Sequence, residues 1–462
     1  MSAKPKVAVI GGGFAGLAAA HELIQQGIEP IVFEGDPSLG GLAGSFLVKG
    51  HNLEKFYHHW FNNDLHVMDM IKELGAEDNI LLRSSNTGMY FAKSFFKLSS
   101  PLDVLRFTPL SFINRIRLGL LVLKARKVKH WEPLEGLTAE EWLISLCGKK
   151  VYEVVWEPLL RGKFGPYAKD ISAVWFWNKL KLRGGSRGKK GAEQLAYFQG
   201  GFAHLAELMA EGIAKKGGSI HVSTPVESLI VENGKAVGVK AGGKEYRTDA
   251  VIATPALPII AKMVAPYTTP QYVQSLEKID YLANICLVLE LDRSLSKIYW
   301  LNVNDVNFPF VGIIEHTNFE PPESYSGRHI VYLSKYLPAE HEMYHMTPEQ
   351  VLELSIPHIQ RMFPDFRREW IQDYHLWKAR YSQPIVVKHY SKLIPEYKSP
   401  VPGLFIASMA QVYPEDRGTN YAIRDGRKVG KIVADELKTT APKGIANGAA
   451  ASGSNSKHTA NK

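Results

Sequence analysis

Two kinds of hydrophobic pattern alternate along the chain. Val7 to Ile10, Pro30 to Phe33, Ala250 to Ala253 and Leu404 to Ala407 are short, unbroken apolar runs with turn residues at their ends. Such runs read as strands buried on both faces, as in a parallel sheet. Helical periodicity predicts helices from about Gly13 to Gln26, Asp64 to Leu74 and Ala203 to Lys216, and from the Arg417–Ala422 region to about Lys438. Tyr281 to Asp292 and Tyr299 to Val311 predict strands of a second sheet within roughly 257–383. Val226 to Val239 folds back around Asn233-Gly234 as a hairpin. The fold class is α/β, with an α+β unit beside a parallel sheet.

The first strand runs into Gly11, Gly13 and Gly16, a G-x-G-x-x-G frame that opens a helix, and the second strand ends at Glu34. The first glycine permits the tight turn, the second lets backbone approach a pyrophosphate, and the third lets helix and strand pack closely. The helix N-terminus, at Phe14 and Ala15, presents unpaired N–H groups to phosphate. Glu34 can accept hydrogen bonds from ribose hydroxyls. Strand, helix, second strand and acid together predict a bound dinucleotide.

Composition narrows the class. The chain has 462 residues, enough for two connected domains. Cys147 and Cys286 are its only cysteines, which excludes a disulfide scaffold or thiolate metal site and suits a reducing compartment. The N-terminus does not read as a signal peptide, and no stretch approaches the roughly 20 apolar residues of a membrane span. A cytoplasmic location is expected, with peripheral contact at the inner face of a membrane as an option. The net charge of +9 lacks any nucleic-acid motif. An anionic surface or anionic substrate is the expected partner, not nucleic acid.

Several segments carry candidate chemistry. Gly50 to Phe61 gathers Phe56, Tyr57, His58, His59, Trp60 and Phe61. Adjacent histidines on extended backbone face opposite ways and do not chelate one metal. Tyr90 to Trp131 interleaves Lys93, Lys97, Arg106, Arg115, Arg117, Lys124, Arg126, Lys127 and Lys129 with apolar residues. Ser100-Pro101 and Thr108-Pro109 are read as helix starts within it. This segment suits a helical lid over an apolar pocket or a membrane interface, and the two are compatible. Thr138 to Glu141 has capping-box spacing. Helices of a substrate-binding unit are expected over 157–165 and 171–182, followed by a basic loop, 183–190. Glu315-His316-Thr317-Asn318, with Tyr332 and Tyr336, lines a substrate pocket or forms a satisfied turn. His341-Glu342-Met343-Tyr344-His345 has the letters of a zinc motif, but Pro338 precedes it and Thr347-Pro348 starts the next helix. It is read as a loop, and no metal is expected. The tail 439–462 is small and polar and is expected to be disordered.

Three separated motifs resemble the flavin-dependent amine oxidase superfamily, which includes protoporphyrinogen oxidase and phytoene desaturase and, more distantly, UDP-galactopyranose mutase. They are the glycine frame with Gly40-Gly41-Leu42-Ala43 after Glu34, the Thr224-Pro225-Val226 stretch, and the Leu404–Ala407 strand followed by Arg417-Gly418-Thr419-Asn420-Tyr421-Ala422. The resemblance implies FAD. It places Gly40 and Gly41 against pyrophosphate and flavin, the Val226 backbone at adenine, and residues 417–422 at the flavin pyrimidine edge, where Thr419 is expected to cap the helix. Met409 stands near where relatives carry an Asp, and Leu42 where they carry an Arg. Both departures separate this chain from typical amine oxidases. The resemblance also puts His58 or His59 near the flavin, with Tyr57, His316, Asn318 and Tyr336 toward substrate.

The implied architecture is a discontinuous Rossmann-like FAD-binding domain (1–61, 191–256, 384–438) with an α+β substrate-binding domain (62–190, 257–383). Its helical lid is 90–131. Three functions are compatible with the residues: hydride transfer between flavin N5 and an apolar, isoprenoid-like or membrane-derived substrate, a sugar-nucleotide mutase, or an FAD-bound protein without catalysis. No electron acceptor is implied.

Overall fold

The computed structural model describes residues 4–91, 93–96, 101–185, 194–305 and 308–440. Lys97, Ser100, the 186–190 part of the basic loop and the 441–462 part of the tail lie outside the described residues.

The short apolar runs form one parallel sheet. Its order is Ser219–His221, Glu29–Phe33, Lys6–Ile10, Ala250–Ala253, Leu404–Ile406. Ile10 lies opposite Phe33 on one side and Ala253 on the other, and Ala253 lies opposite Ile406. The carboxyl ends of all these strands therefore share one edge, where ligands bind in open α/β sheets. Helix Phe14–Gln25 follows the first strand, and the last helix, Thr419–Thr440, packs along it. Glycine permits that contact: a Cβ on Gly426 would collide with the Ala15 carbonyl oxygen.

The second sheet has seven strands, in the order Ile371–Pro384, Tyr281–Leu291, His329–Leu337, Gly312–Glu315, Trp300–Val303, Thr87–Phe91, Ser94–Phe96. Two expectations change here. The stretch Tyr299 to Val311 is not one strand. It breaks after Val303, past which Asn304, Asp305 and Pro309 favour a turn, and the chain returns as Gly312–Glu315, antiparallel to Trp300–Val303. The 90–131 segment is not helical throughout, because Thr87–Phe91 and Ser94–Phe96 extend this sheet.

Helices Pro101–Leu105 and Phe112–Lys127 follow. The second starts at Ser111, not at Thr108-Pro109. Leu110 N donates to Phe107 O, so Thr108-Pro109 sits inside a turn. Thr138 forms the expected capping box with Glu141, and Thr347 does so with Gln350 ahead of helix Pro348–Met362. The 341–345 stretch departs from the loop reading. Glu342–His345 is a single helical turn, and His341 is its N-cap, accepting from Met343 N at 3.1 Å.

Candidate functional site

The glycine frame and the second glycine loop touch. Gly40 N donates to Gly12 O at 3.0 Å, and Gly13 and Gly40 form a parallel bridge. A Cβ on Gly41 would sit 3.3 Å from Gly13 Cα. Gly11 has φ +104, and a Cβ on Gly16 would collide with the Gly11 carbonyl oxygen. Gly13 N-caps the first helix with no side-chain hydrogen bond, and the first-turn N–H groups of a helix have no partner within it. A side-chain-free cradle with N–H groups at a helix start fits a pyrophosphate.

Glu34 sits at the carboxyl end of its strand, where its carboxylate accepts from Gly12 N at 2.7 Å and Asp36 N at 2.8 Å. Each oxygen keeps a further lone pair for a ribose hydroxyl. Thr224 N donates to Glu34 O, which brings the start of strand Val226–Glu232 alongside. Leu42 and Ala43 lie in the short helical turn Gly41–Ala43.

The third motif meets this cradle through the last helix. Thr419 is the first residue of that helix and not its cap, a correction of the expected role. Its hydroxyl accepts from Trp60 Nε1 at 2.7 Å. Asn420 Oδ1 accepts from Val67 N at 3.1 Å. The helix start, with Gly418, Tyr421 and Ala422, is thereby tied to the segment that carries the histidines. Met409 lies half-buried in the turn after strand Leu404–Ile406.

A buried carboxylate anchors the histidine segment. Glu54 accepts from Tyr197 Oη and from Phe202 N, each at 2.7 Å, while its own carbonyl accepts from Tyr332 Oη at 2.8 Å. Burial pushes its carboxyl upward. Beyond it the two histidines diverge, as extended backbone requires. His58 Nδ1 lies 2.6 Å from Phe56 O, and a carbonyl only accepts, so Nδ1 donates and Nε2 is left as an acceptor. Burial, with Arg417 adding to it, lowers His58 to about 4, so it is neutral at pH 7. His59 turns toward Tyr299, its Nδ1 2.9 Å from the hydroxyl, among Phe61, Trp300 and Phe319.

Tyr336 meets Arg417: Nη2 donates to the phenol oxygen at 2.8 Å. Tyr57 faces Trp300 and Tyr332, and burial pushes its phenol well above the usual value. The 315–318 cluster does not join them and forms a turn whose side chains are hydrogen-bonded except at His316 Nδ1, which is buried without a partner. Asn318 donates to Ser296 O and Ile298 O, and His316, 1% exposed, is 2.8 Å from Tyr325 Oη. Residues that sequence reasoning missed complete the site. Asp416 is buried, with Lys179 Nζ at 2.6 Å and Lys163 Nζ at 3.8 Å. Their only sequence signal was Asp416-Arg417 inside the third motif.

A model of the family described as flavin containing amine oxidoreductase matches residues 14–430. A zeta-carotene desaturase of Solanum lycopersicum is 24% identical over 310 residues, 60% of this chain and 51% of that protein. The chain spans about half the length of the curated plant desaturases it matches at similar identity. Among solved structures, an oxidoreductase from Methanosarcina mazei superposes with TM-score 0.73 at 20% identity, covering 92% of this chain and 100% of that one. Reduced UDP-galactopyranose mutase superposes with TM-score 0.71 at 14% identity, covering 95% and 97%. At these identities the structures show the fold alone.

Proposed function

The chain belongs to the flavin containing amine oxidoreductase family, whose cofactor is FAD, and from that premise we propose that it is an oxidoreductase acting on an apolar substrate. The observation that supports the reading is the hydrogen bond from Trp60 Nε1 to the Thr419 hydroxyl, which ties the segment carrying Tyr57 and His58 to the start of the last helix. The cofactor unit in this reading is 1–61, 191–256 and 384–438, and the substrate unit is 62–190 and 257–383.

Bound FAD supplies a two-electron acceptor and donor. The chain's own residues hold and shield it. Gly11, Gly13, Phe14, Ala15, Gly16, Gly40, Gly41, Leu42 and Ala43 receive the pyrophosphate through backbone, Glu34 the ribose, and Val226 the adenine. The N–H groups at 417–422, with Met409 nearby, favour negative charge at the pyrimidine edge. Tyr57 and Tyr336 orient substrate and exclude water, and neutral His58 offers Nε2 as a hydrogen-bond acceptor. His59, held at Tyr299, positions the aromatic wall.

The same reading takes substrate from a membrane surface. Leu102, Leu105, Phe112, Ile113, Ile116, Leu120 and Leu123 are exposed on helices Pro101–Leu105 and Phe112–Lys127, among Arg106, Arg115, Arg117 and Lys124. An apolar stripe with flanking cations suits an anionic bilayer. Among the described residues, no helix is long and apolar enough to cross a membrane.

The test is anaerobic. The purified protein is expected to release FAD on denaturation, and its flavin to change redox state with substrate and to require an external acceptor for turnover. Turnover without acceptor consumption would assign the mutase class instead, and a protein that binds no FAD would sink the reading.

A further inference from the structure

We propose that the protein has a second ligand site, away from the flavin cradle, which takes a small apolar molecule bearing an oxyanion, a carboxylate or a phosphate ester, with Lys335 as its anchor. The proposal goes beyond the oxidoreductase reading and does not rest on it.

A cavity of about 340 Å³ lies between helix Glu157–Phe164 and the second sheet. That is the small end of the range for ligand pockets. Val303, Phe308, Phe310 and Val311 give it an apolar wall on the sheet side, and Pro158 and Gly162 line it from the helix. The helix comes close because residue 162 is glycine: a Cβ there would lie 3.2 Å from Val311 Cγ1.

Strand His329–Leu337 separates this cavity from the flavin side. Neighbouring residues on a strand face opposite ways. Tyr336 turns to Arg417, so Lys335 turns away from it, toward the core that holds Leu333, Phe308 and Phe310.

Lys335 lines the cavity and is half-buried. Among the described residues its Nζ has neither a hydrogen bond nor an ion pair. Burial lowers its ammonium from the usual lysine value, and no carboxylate offsets that effect. The other charged groups of the cavity are engaged or exposed. Arg161 Nη2 lies 2.7 Å from Glu157 Oε1, and Lys169 is exposed. Asp305, a carboxylate on the wall, has Arg361 at 3.9 Å and a further interaction of its own. A half-buried ammonium beside apolar walls is costly unless something in the cavity pairs with it. Water can hydrate the ammonium, but it does not account for the aromatic and aliphatic wall. An apolar wall for the body and one unpaired cation for the head describe a small amphipathic anion. Arg161 and Lys169 add positive potential at the same cavity.

The test titrates the holoenzyme by calorimetry with benzoate, phenyl phosphate and benzyl alcohol, one ring carrying three heads, while flavin absorbance is recorded. Both anions are expected to bind about tenfold or more tightly than the alcohol, as charge-assisted pairing implies. Their order separates carboxylate from phosphate. Lys335→Met should remove the preference, keep the affinity for the alcohol and melt no earlier than wild type, since no partner of Lys335 is lost. Reductive methylation of wild type, read by mass spectrometry, gives a second measurement. Either anion at roughly ten times its Kd should slow labelling of Lys335 about tenfold by mass action, and leave the exposed Lys278 unaffected. If Lys335→Met melts early, this protection decides.

Equal affinity for the three probes, no saturation by any of them, a preference kept in Lys335→Met, or labelling of Lys335 unslowed by the anions overturns the proposal. Anion binding that shifts the flavin spectrum and survives Lys335→Met belongs to the flavin site and overturns it equally. Bound, reducible FAD without a Lys335-dependent preference sinks this inference alone. Such a preference in a protein that binds no FAD sinks the oxidoreductase reading and leaves the second site standing.

Discussion

Trp60 Nε1 donates to the Thr419 hydroxyl at 2.7 Å, joining residues 359 positions apart. The bond fixes the aromatic segment against the start of the last helix, and Asn420 accepting from Val67 N repeats the tie one residue on. Trp60 is 1% exposed and packs on Phe202 with ring centres 4.2 Å apart, so its loss is felt in packing as well. Trp60→Phe and Thr419→Val should each destabilise the protein. In a double-mutant cycle by urea unfolding, the coupling is expected to be on the order of 1 kcal/mol. FAD occupancy should fall in both variants, because the helix start moves with the bond.

Two buried histidines set an acid limit to stability. Burial lowers His316 to about 3 and His58 to about 4 from the usual 6.5. Between those values and 6.5 the folded chain binds fewer protons than the unfolded chain, so stability rises with pH through this window and falls on acidification. At pH 4.5 the neutral form of His316 costs on the order of 2–3 kcal/mol relative to pH 7. His316→Gln should narrow the difference in urea midpoint between pH 4.5 and 7, and His58→Gln should narrow it less. Parallel pH profiles for wild type and His316→Gln would contradict this.

The contact between the first and last helices depends on glycine. A Cβ on Gly426 would strike the Ala15 carbonyl, and one on Gly430 would come within 2.9 Å of the Ala19 carbonyl. Gly426→Ala should therefore cost about 1–3 kcal/mol, as overpacking does. Gly119, inside helix Phe112–Lys127, has nothing within 4 Å of its would-be Cβ. Gly119→Ala should instead stabilise by up to about 1 kcal/mol through lower chain entropy. Thermal melting of the two variants checks opposite signs from one chemical change.

What was legible in the sequence is what is local. The run Val7 to Ile10, the three glycines and Glu34 lie within 28 positions, and each acts on its neighbours, so the cradle could be read before any fold was known. The pairing of Arg417 with Tyr336 is different, because it depends on how two sheets meet. Nothing in the sequence singles out Lys163 and Lys179, and the fold alone brings them to Asp416. Thr419 had the right residue type for a cap, but the distant Trp60 claims its hydroxyl. Local rules also misplaced the helix start at Thr108-Pro109, where a turn took precedence over a good proline position.

The exposed stripe of helix Phe112–Lys127 makes the last prediction. Leu118, Leu121 and Ala125 face the core, while Ile113, Ile116, Leu120 and Leu123, spaced three and four apart, face out. A helix apolar on both sides has one side unaccounted for by the fold. Because the outer residues are exposed, Ile116→Glu with Leu120→Glu should leave the melting temperature near wild type. Partition onto vesicles with about one-third anionic lipid should drop by tenfold or more, since inserted apolar side chains each contribute on the order of 1 kcal/mol. Wild type should bind neutral vesicles more weakly, the difference reporting Arg106, Arg117 and Lys124. Equal sedimentation of the double variant and wild type with anionic vesicles would remove the membrane from the proposed function, leaving the stripe to serve another surface.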